Sequence, residues 1–271
     1  GIFMDNRPIG VFDSGVGGLT VLREVIEELP EEDIVYLGDT ARTPYGTRSK
    51  EVIIEYSIET IKFLLTKDVK AVIIACNTVS ALAMQEVQME FNIPIIGVIE
   101  PGIRAAVGVT RNSRIGLIAT EGTIRSQVYQ RGLKELLPNS EVIDVSCPSF
   151  VSIVEGGLEN TNEAEEIIRK HLSELKEQQI DSLILGCTHF PVLRPVIGRV
   201  LGNGVLMIDP AHETAKMAHK ILEESDIISD GADCGRYNFY VSGDPVKFKR
   251  IGSNILGRDI ESIEKVKISD I

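Results

Sequence analysis

Four apolar runs, separated by helix-like segments, occupy the first hundred residues of this chain, and the same order then begins again. IGVFDSG at 9–15 parallels IGLIATE at 115–121, an offset of 106 residues. IVYLGDT at 34–40 corresponds to VIDVSCP at 142–148, an offset of 108. IIACNT at 73–78 corresponds to LILGCTH at 183–189, with the cysteines 111 apart, and VIEP at 98–101 to MIDP at 207–210, offset by 109. Continuous apolar strands alternating with amphipathic helices indicate parallel sheets covered on both faces. The repeat therefore predicts an α/β protein of two similar lobes, related by a pseudo-two-fold axis, each a parallel-type sheet flanked by helices.

In the first half, strands are expected at 8–13, 33–39, 71–76 and 94–99, with helices at 18–29, 51–67 and 80–91. Leu19, Leu22, Val25, Ile26 and Leu29 share one face of the first helix. In the second half, strands are expected at 114–120, 141–146, 181–187 and 205–210, with helices near 124–137 and at 163–178. A helix at 213–224 and a strand at 236–243 fall outside the repeat and are expected to return to the first lobe. The resulting division is 1–100 plus 212–271 for one lobe and 101–211 for the other. The length, 271 residues, accommodates two modest domains of this kind.

Ligands of open α/β sheets bind at the carboxyl ends of the strands, and the chemically distinctive residues fall there. Asp13, Ser14 and Gly15 follow the first strand, and Cys76, Asn77 and Thr78 the third. Thr120 follows the first strand of the second lobe, and Cys187, Thr188 and His189 its third. If the lobes face each other, both thiols reach one cleft between them.

A free cysteine is commonly a small buried hydrophobe, and that suffices for Cys147 and Cys234. Packing does not account for equivalent cysteines at matching strand ends, each followed by polar residues and an expected helix start. A helix N-terminus also lowers a thiol pKa from about 8.5, favouring thiolate. His171, His212 and His219 lie in charged helical stretches and read as solvated, whereas His189 lies in the motif loop.

Two thiols across a pseudo-symmetric cleft suit a carbon acid that loses a proton on one face and regains one on the other. One cysteine acts as thiolate and one as thiol, with roles exchanged in the reverse direction. No cofactor is needed. Lysines are absent from the motif loops, which argues against a pyridoxal Schiff base. Carboxylates of the substrate would be held by small hydroxyls and backbone N–H groups. DSGVGG at 13–18 is a strand-to-helix loop that lets backbone donors approach an anion. It lacks the Lys-Ser/Thr ending of a nucleotide loop and does not fit G-x-G-x-x-G.

The four cysteines show neither a disulfide framework nor zinc-ligand spacing, so no metal site is expected. A net charge of −12, with no basic block longer than KFKR at 247–250, disfavours direct nucleic-acid binding and suits a cytoplasmic protein. No apolar run reaches the roughly 20 residues of a membrane helix. The start lacks a secretory-signal pattern. Met4 is read as the natural start, with Gly1 to Phe3 a remnant.

IGVFDSGVGGLTVL, YLGDTARTPYG, ACNTVSA, VEGG and LGCTHFP, in this order across nearly the whole chain, together resemble bacterial glutamate racemase. The resemblance implies a cofactor-independent isomerase that interconverts L- and D-glutamate and supplies D-glutamate for peptidoglycan. It implies Cys76 and Cys187 as the proton donor and acceptor, with Asp13 assisting near Cys76, His189 near Cys187, and Glu155 in VEGG linked to catalysis. Substrate contacts would come from Asp13, Ser14, Tyr45, Gly46, Asn77, Thr78, Thr120, Thr123, Thr188 and His189. It also implies a homodimer. Two alternatives stay open: aspartate racemase or a related Cys-Cys epimerase, and a non-catalytic bilobal binder of acidic metabolites.

Overall fold

Strands buried on both faces form the centre of each lobe in the computed structural model, which describes residues 4–268. Gly1 to Phe3, read above as a remnant, lie outside the described residues. The first lobe begins with β1 (Ile9–Asp13), α1 (Leu19–Glu28), β2 (Ile34–Gly38), α2 (Lys50–Leu65) and β3 (Ala71–Ile74). It continues with α3 (Asn77–Leu82), α4 (Met84–Glu90) and β4 (Ile95–Ile96); α5 (Ile99–Val109) then leads into the second lobe, where Ile103 and Ala106 pack with Ile115, Leu117 and Tyr129. Every residue of β1, β2 and β3 is buried, as continuous apolar runs require of parallel strands.

The second lobe contains β5 (Arg114–Ala119), α6 (Glu121–Ser126), α7 (Val128–Leu136), β6 (Glu141–Ser146), α8 (Pro148–Glu155) and α9 (Asn162–Lys176). β7 (Ser182–Gly186), a short 3-10 helix (Phe190–Leu193), α10 (Arg194–Leu201) and β8 (Leu206–Ile208) follow. The chain then runs through α11 (Ala211–Glu224), β9 (Tyr237–Val241), α12 (Pro245–Leu256) and β10 (Ile263–Lys265).

The repeat reappears as strand order. The first sheet reads β10-β9-β2-β1-β3-β4 and the second β6-β5-β7-β8, all pairings parallel. Thus 2-1-3-4 in one lobe matches 6-5-7-8 in the other, and β9 with β10 extends the first sheet beyond the repeat. In such an order the chain reverses direction of winding between the first and third strands, and the crevice opens at their carboxyl ends. Those ends carry Asp13 and Cys76 in one lobe and Thr120 and Cys187 in the other.

Several elements differ from the sequence expectation for local reasons. The helix expected at 80–91 is broken at Ala83, where the backbone leaves helical angles (φ −123°, ψ −1°), giving α3 and α4. The helix near 124–137 breaks at Gln127, a left-handed residue (φ 60°) between α6 and α7. The strand expected at 94–99 shrinks to β4, because the chain enters α5 at Ile99. Pro101 and Gly102 hide α5 in the sequence, yet a proline in the first turn has no helical N–H partner to lose. α8 and α12 begin with proline at the first position, and Asp244 caps α12 by accepting from Val246 N at 2.9 Å.

One buried ion pair ties four segments together. Lys70, ahead of β3, places Nζ 2.7 Å from Glu32 Oε2, and both side chains are essentially inaccessible. Lys70 Nζ also donates to the Asp5 carbonyl, and Glu32 Oε1 accepts from Ser229 N at 2.7 Å. The N-terminal entry, the turns before β2 and β3, and the loop after α11 therefore meet at this one ion pair.

Candidate active site

Asp13 ends β1 and is fully buried. Its Oδ2 accepts from Gly15 N (3.0 Å) and Gly18 N (2.9 Å), and its Oδ1 accepts from Thr188 Oγ1 of the other lobe (3.2 Å). Burial raises its pKa, against the opposing pull of His189 and the two backbone donors. The glycines of this loop are needed for close approach: a Cβ on Gly17 would lie 2.7 Å from Thr188 Oγ1 and 2.8 Å from His189 Nδ1.

Cys76 follows β3 and stands at the N-cap of α3, its Sγ donating toward Ser14 Oγ at 3.7 Å. The sequence expectation of a lowered thiol pKa is corrected here. Burial, reinforced by the Asp13 charge, pushes Cys76 up to about 12. The backbone N–H of Val79 and the Ser14 hydroxyl pull the other way without prevailing, since both are weaker than the burial and the Asp13 charge. The charge of Cys187 also raises Cys76, so the two thiols are electrostatically coupled.

Cys187 follows β7. The expected helix start after it is instead a turn, with the 3-10 helix beginning three residues later at Phe190. Its Sγ is 3.5 Å from His189 Nδ1, and His189 Nε2 lies 2.6 Å from Glu155 Oε1 at the end of α8. Glu155 Oε1 also accepts from Val16 N of the first lobe (3.0 Å). Burial acts to lower the His189 pKa, but Cys187 and Glu155 outweigh it and raise the group well above its ordinary value. Burial acts to raise Glu155, but the hydrogen bond and charge of His189, with the Val16 N–H and the Lys247 charge, together outweigh it and lower the group. A protonated imidazole has donors on both nitrogens, matching its two acceptors here. The two thiols are therefore unlike: Cys76 has an anion beside it and Cys187 a cation.

The hydroxyls form a second bridge between the lobes. Thr78 Oγ1 is 2.7 Å from Thr120 Oγ1, which caps α6 and lies 3.2 Å from Thr123 Oγ1. Asn77 Oδ1 accepts from the Tyr129 hydroxyl. Gly46 O accepts from Gly122 N at 2.8 Å, and a Cβ on Gly46 would stand 2.4 Å from Thr120 Cβ. The Tyr45 hydroxyl is engaged by Asp39, and its ring packs against Phe12 and Tyr56.

Asp13, Thr188, His189, Glu155 and Cys187 thus form one connected group, Ser14 with Cys76 another, and Thr78, Thr120 and Thr123 a third. Sequence reasoning passed over Asp39 and Tyr129, which hold Tyr45 and Asn77. Asp39 directly ends the β2 motif, so its place at a strand terminus was the available signal. Tyr129 gave none. Cys147 is buried, but Cys234 is exposed, so packing does not explain it. Of the histidines read as solvated, His171 packs edge-on against Phe150, while His212 and His219 pair with Glu24 and Glu28. Among the described residues no group of three or more His, Cys, Asp or Glu has metal-holding geometry, and no helix is long and apolar enough to cross a membrane.

Residues 9–218 match the family model described as Asp/Glu/Hydantoin racemase. Glutamate racemase of Geobacter metallireducens is 45% identical over 262 residues, 97% of each chain. Glutamate racemase of Bacillus cereus is 43% identical, covering 96% of this chain and 97% of the relative. Among solved structures, a glutamate racemase isoform from Bacillus anthracis has a TM-score of 0.92 at 41% identity, covering 97% of this chain and 98% of that one. The Francisella tularensis glutamate racemase, solved in complex with D-glutamate, has a TM-score of 0.91 at 40% identity, with 98% and 100% covered.

Proposed function

The chain belongs to the Asp/Glu/hydantoin racemase family, and we propose that it interconverts L- and D-glutamate by two-base racemisation without a cofactor. The observation that carries this is the pair of unlike thiols at equivalent strand ends, Cys76 beside Ser14 and Cys187 beside His189. The thiolate of one cysteine takes the Cα proton, and the thiol of the other delivers a proton to the opposite face. In the next turnover of the reverse reaction the roles exchange, so each direction leaves the enzyme ready for the other. Asp13 serves the Cys76 side, and the Glu155–His189 pair serves the Cys187 side. Ser14, Tyr45, Gly46, Asn77, Thr78, Thr120, Thr123, Thr188 and His189 hold the substrate, chiefly through hydroxyls and main-chain groups.

Both thiols are almost inaccessible, 6% exposed for Cys76 and 7% for Cys187, so the lobes must part to admit glutamate. The units that part are 1–100 with 212–271 and 101–211. The protein works in the cytoplasm as a homodimer, feeding D-glutamate to peptidoglycan synthesis; the thiol chemistry suits a reducing compartment. Light scattering of the purified protein tests the dimer.

Incubation with L-glutamate, followed by optical rotation, tests the activity. The signal is expected to decay to zero with formation of D-glutamate, while L-aspartate in a parallel cell keeps its rotation. Decay with aspartate alone would transfer the reading to aspartate racemase. Binding of glutamate without any decay would make the protein a metabolite binder.

A further inference from the structure

Ser242 and Gly243 follow β9, in the C-terminal segment that has no counterpart in the repeat. Ser242 Oγ donates to Asp39 Oδ1 at 2.7 Å and accepts from Ala41 N at 3.0 Å. Ser242 N donates to Gly38 O (3.2 Å), and Gly243 N donates to Thr40 Oγ1 (2.9 Å). Three hydrogen bonds thus join two residues of the C-terminal segment to the start of the 39–48 loop, and a fourth ties them to Gly38 at the end of β2. Asp39 is fully buried, and its other oxygen accepts from the Tyr45 hydroxyl and from Arg42 Nε (2.7 Å). Tyr45 leads directly into Gly46, which is bonded to Gly122 and packed on Thr120 of the other lobe. An unbroken path therefore runs from Ser242 through Asp39 and Tyr45 to the second lobe.

We infer that Ser242 and Gly243 are positioning residues that set the Tyr45–Gly46 loop against Thr120, an inference that rests on the glutamate racemase reading. The loop has no helix or strand of its own between β2 and α2, so side-chain bonds fix its height. A buried carboxylate that loses a donor finds no water to replace it, and Asp39 would then turn toward its remaining partners. That movement carries Tyr45 and Gly46 with it. The thiols are untouched, so binding of substrate suffers more than proton transfer.

Steady-state racemisation of both enantiomers by wild type, Ser242→Ala, Ser242→Thr and Gly243→Ala tests this, with amide hydrogen exchange over 39–48 as a readout independent of activity. A Cβ on Gly243 would stand 2.6 Å from Thr40 Oγ1 and crowd the same junction. Ser242→Ala and Gly243→Ala are expected to raise KM about tenfold with little change in kcat. Exchange over 39–48 quickens in both, and Ser242→Thr, which keeps the hydroxyl, restores the wild-type KM. KM within about twofold of wild type in both variants, or kcat falling alone, would overturn the inference. If Ser242→Ala fails to fold by circular dichroism, Gly243→Ala decides by the same criteria. A wild-type protein inactive on glutamate overturns the activity reading instead; unchanged exchange in the variants then overturns the loop clamp on its own.

Discussion

Replacing Cys76 by serine is expected to abolish glutamate racemisation, with turnover falling by about 10³-fold or more, and Cys187→Ser is expected to do the same. A serine hydroxyl is far less acidic than a thiol, even one pushed up to about 12 as Cys76 is, so it is a much poorer source of the anion that proton abstraction needs. The substitution is nearly isosteric at two buried positions, so circular dichroism and the melting temperature should stay close to wild type. Glutamate affinity should remain within about tenfold, roughly 1.4 kcal/mol, because the side chains assigned to the carboxylates are unchanged. Calorimetric titration with glutamate alongside the activity assay checks both halves. Substantial turnover in Cys76→Ser would remove the two-thiol assignment.

Lys70→Ala is expected to cost about 3–5 kcal/mol, a large fraction of the 5–15 kcal/mol typical of a folded protein. Its partner Glu32 is 2% exposed and would be left as a buried charge with only the Ser229 N–H near it. The Asp5 carbonyl would also lose its donor. Urea denaturation reads the loss as a lower midpoint. A Lys70→Met, Glu32→Leu double variant is expected to recover most of it, since apolar groups of similar volume carry no desolvation cost. A single variant within about 1 kcal/mol of wild type, or a double variant no better than the single, would contradict this account of the junction.

Both expectations join the legible part of the sequence to the part that was not. The two-lobed sheet was legible because parallel strands buried on both faces announce themselves as unbroken apolar runs, and each run recurred with its polar loop. The loop at 13–18 was legible from its glycines, and Gly17 does lie close against Thr188 and His189, whereas Tyr45 and Gly46 entered only through the family resemblance. α5 was not, since Pro101 and Gly102 interrupt the pattern that a helix shows. The break at Gln127 depends on a left-handed backbone that glutamine does not advertise. The state of Cys76 was misread for a tertiary reason: the sequence shows the helix start, while the burial and the Asp13 charge that outweigh it come from folding. The junction of Asp39 with Ser242 spans 203 residues, and that of Asn77 with Tyr129 spans 52, distances over which a single sequence carries no pairing signal.

The central claim is that one cysteine takes the Cα proton and the other returns a different one to the opposite face. Racemisation of pure L-glutamate in D₂O, sampled early, tests it directly. The thiol that delivers to the opposite face has exchanged with solvent before substrate binds, so product D-glutamate is expected to carry deuterium at Cα while the remaining L-glutamate carries almost none. A single base would pass part of the original proton across or wash deuterium into both enantiomers alike. Early deuterium in the recovered L-glutamate, matching that in the product, would contradict the two-base account and leave the duplicated cysteine loops without a catalytic explanation.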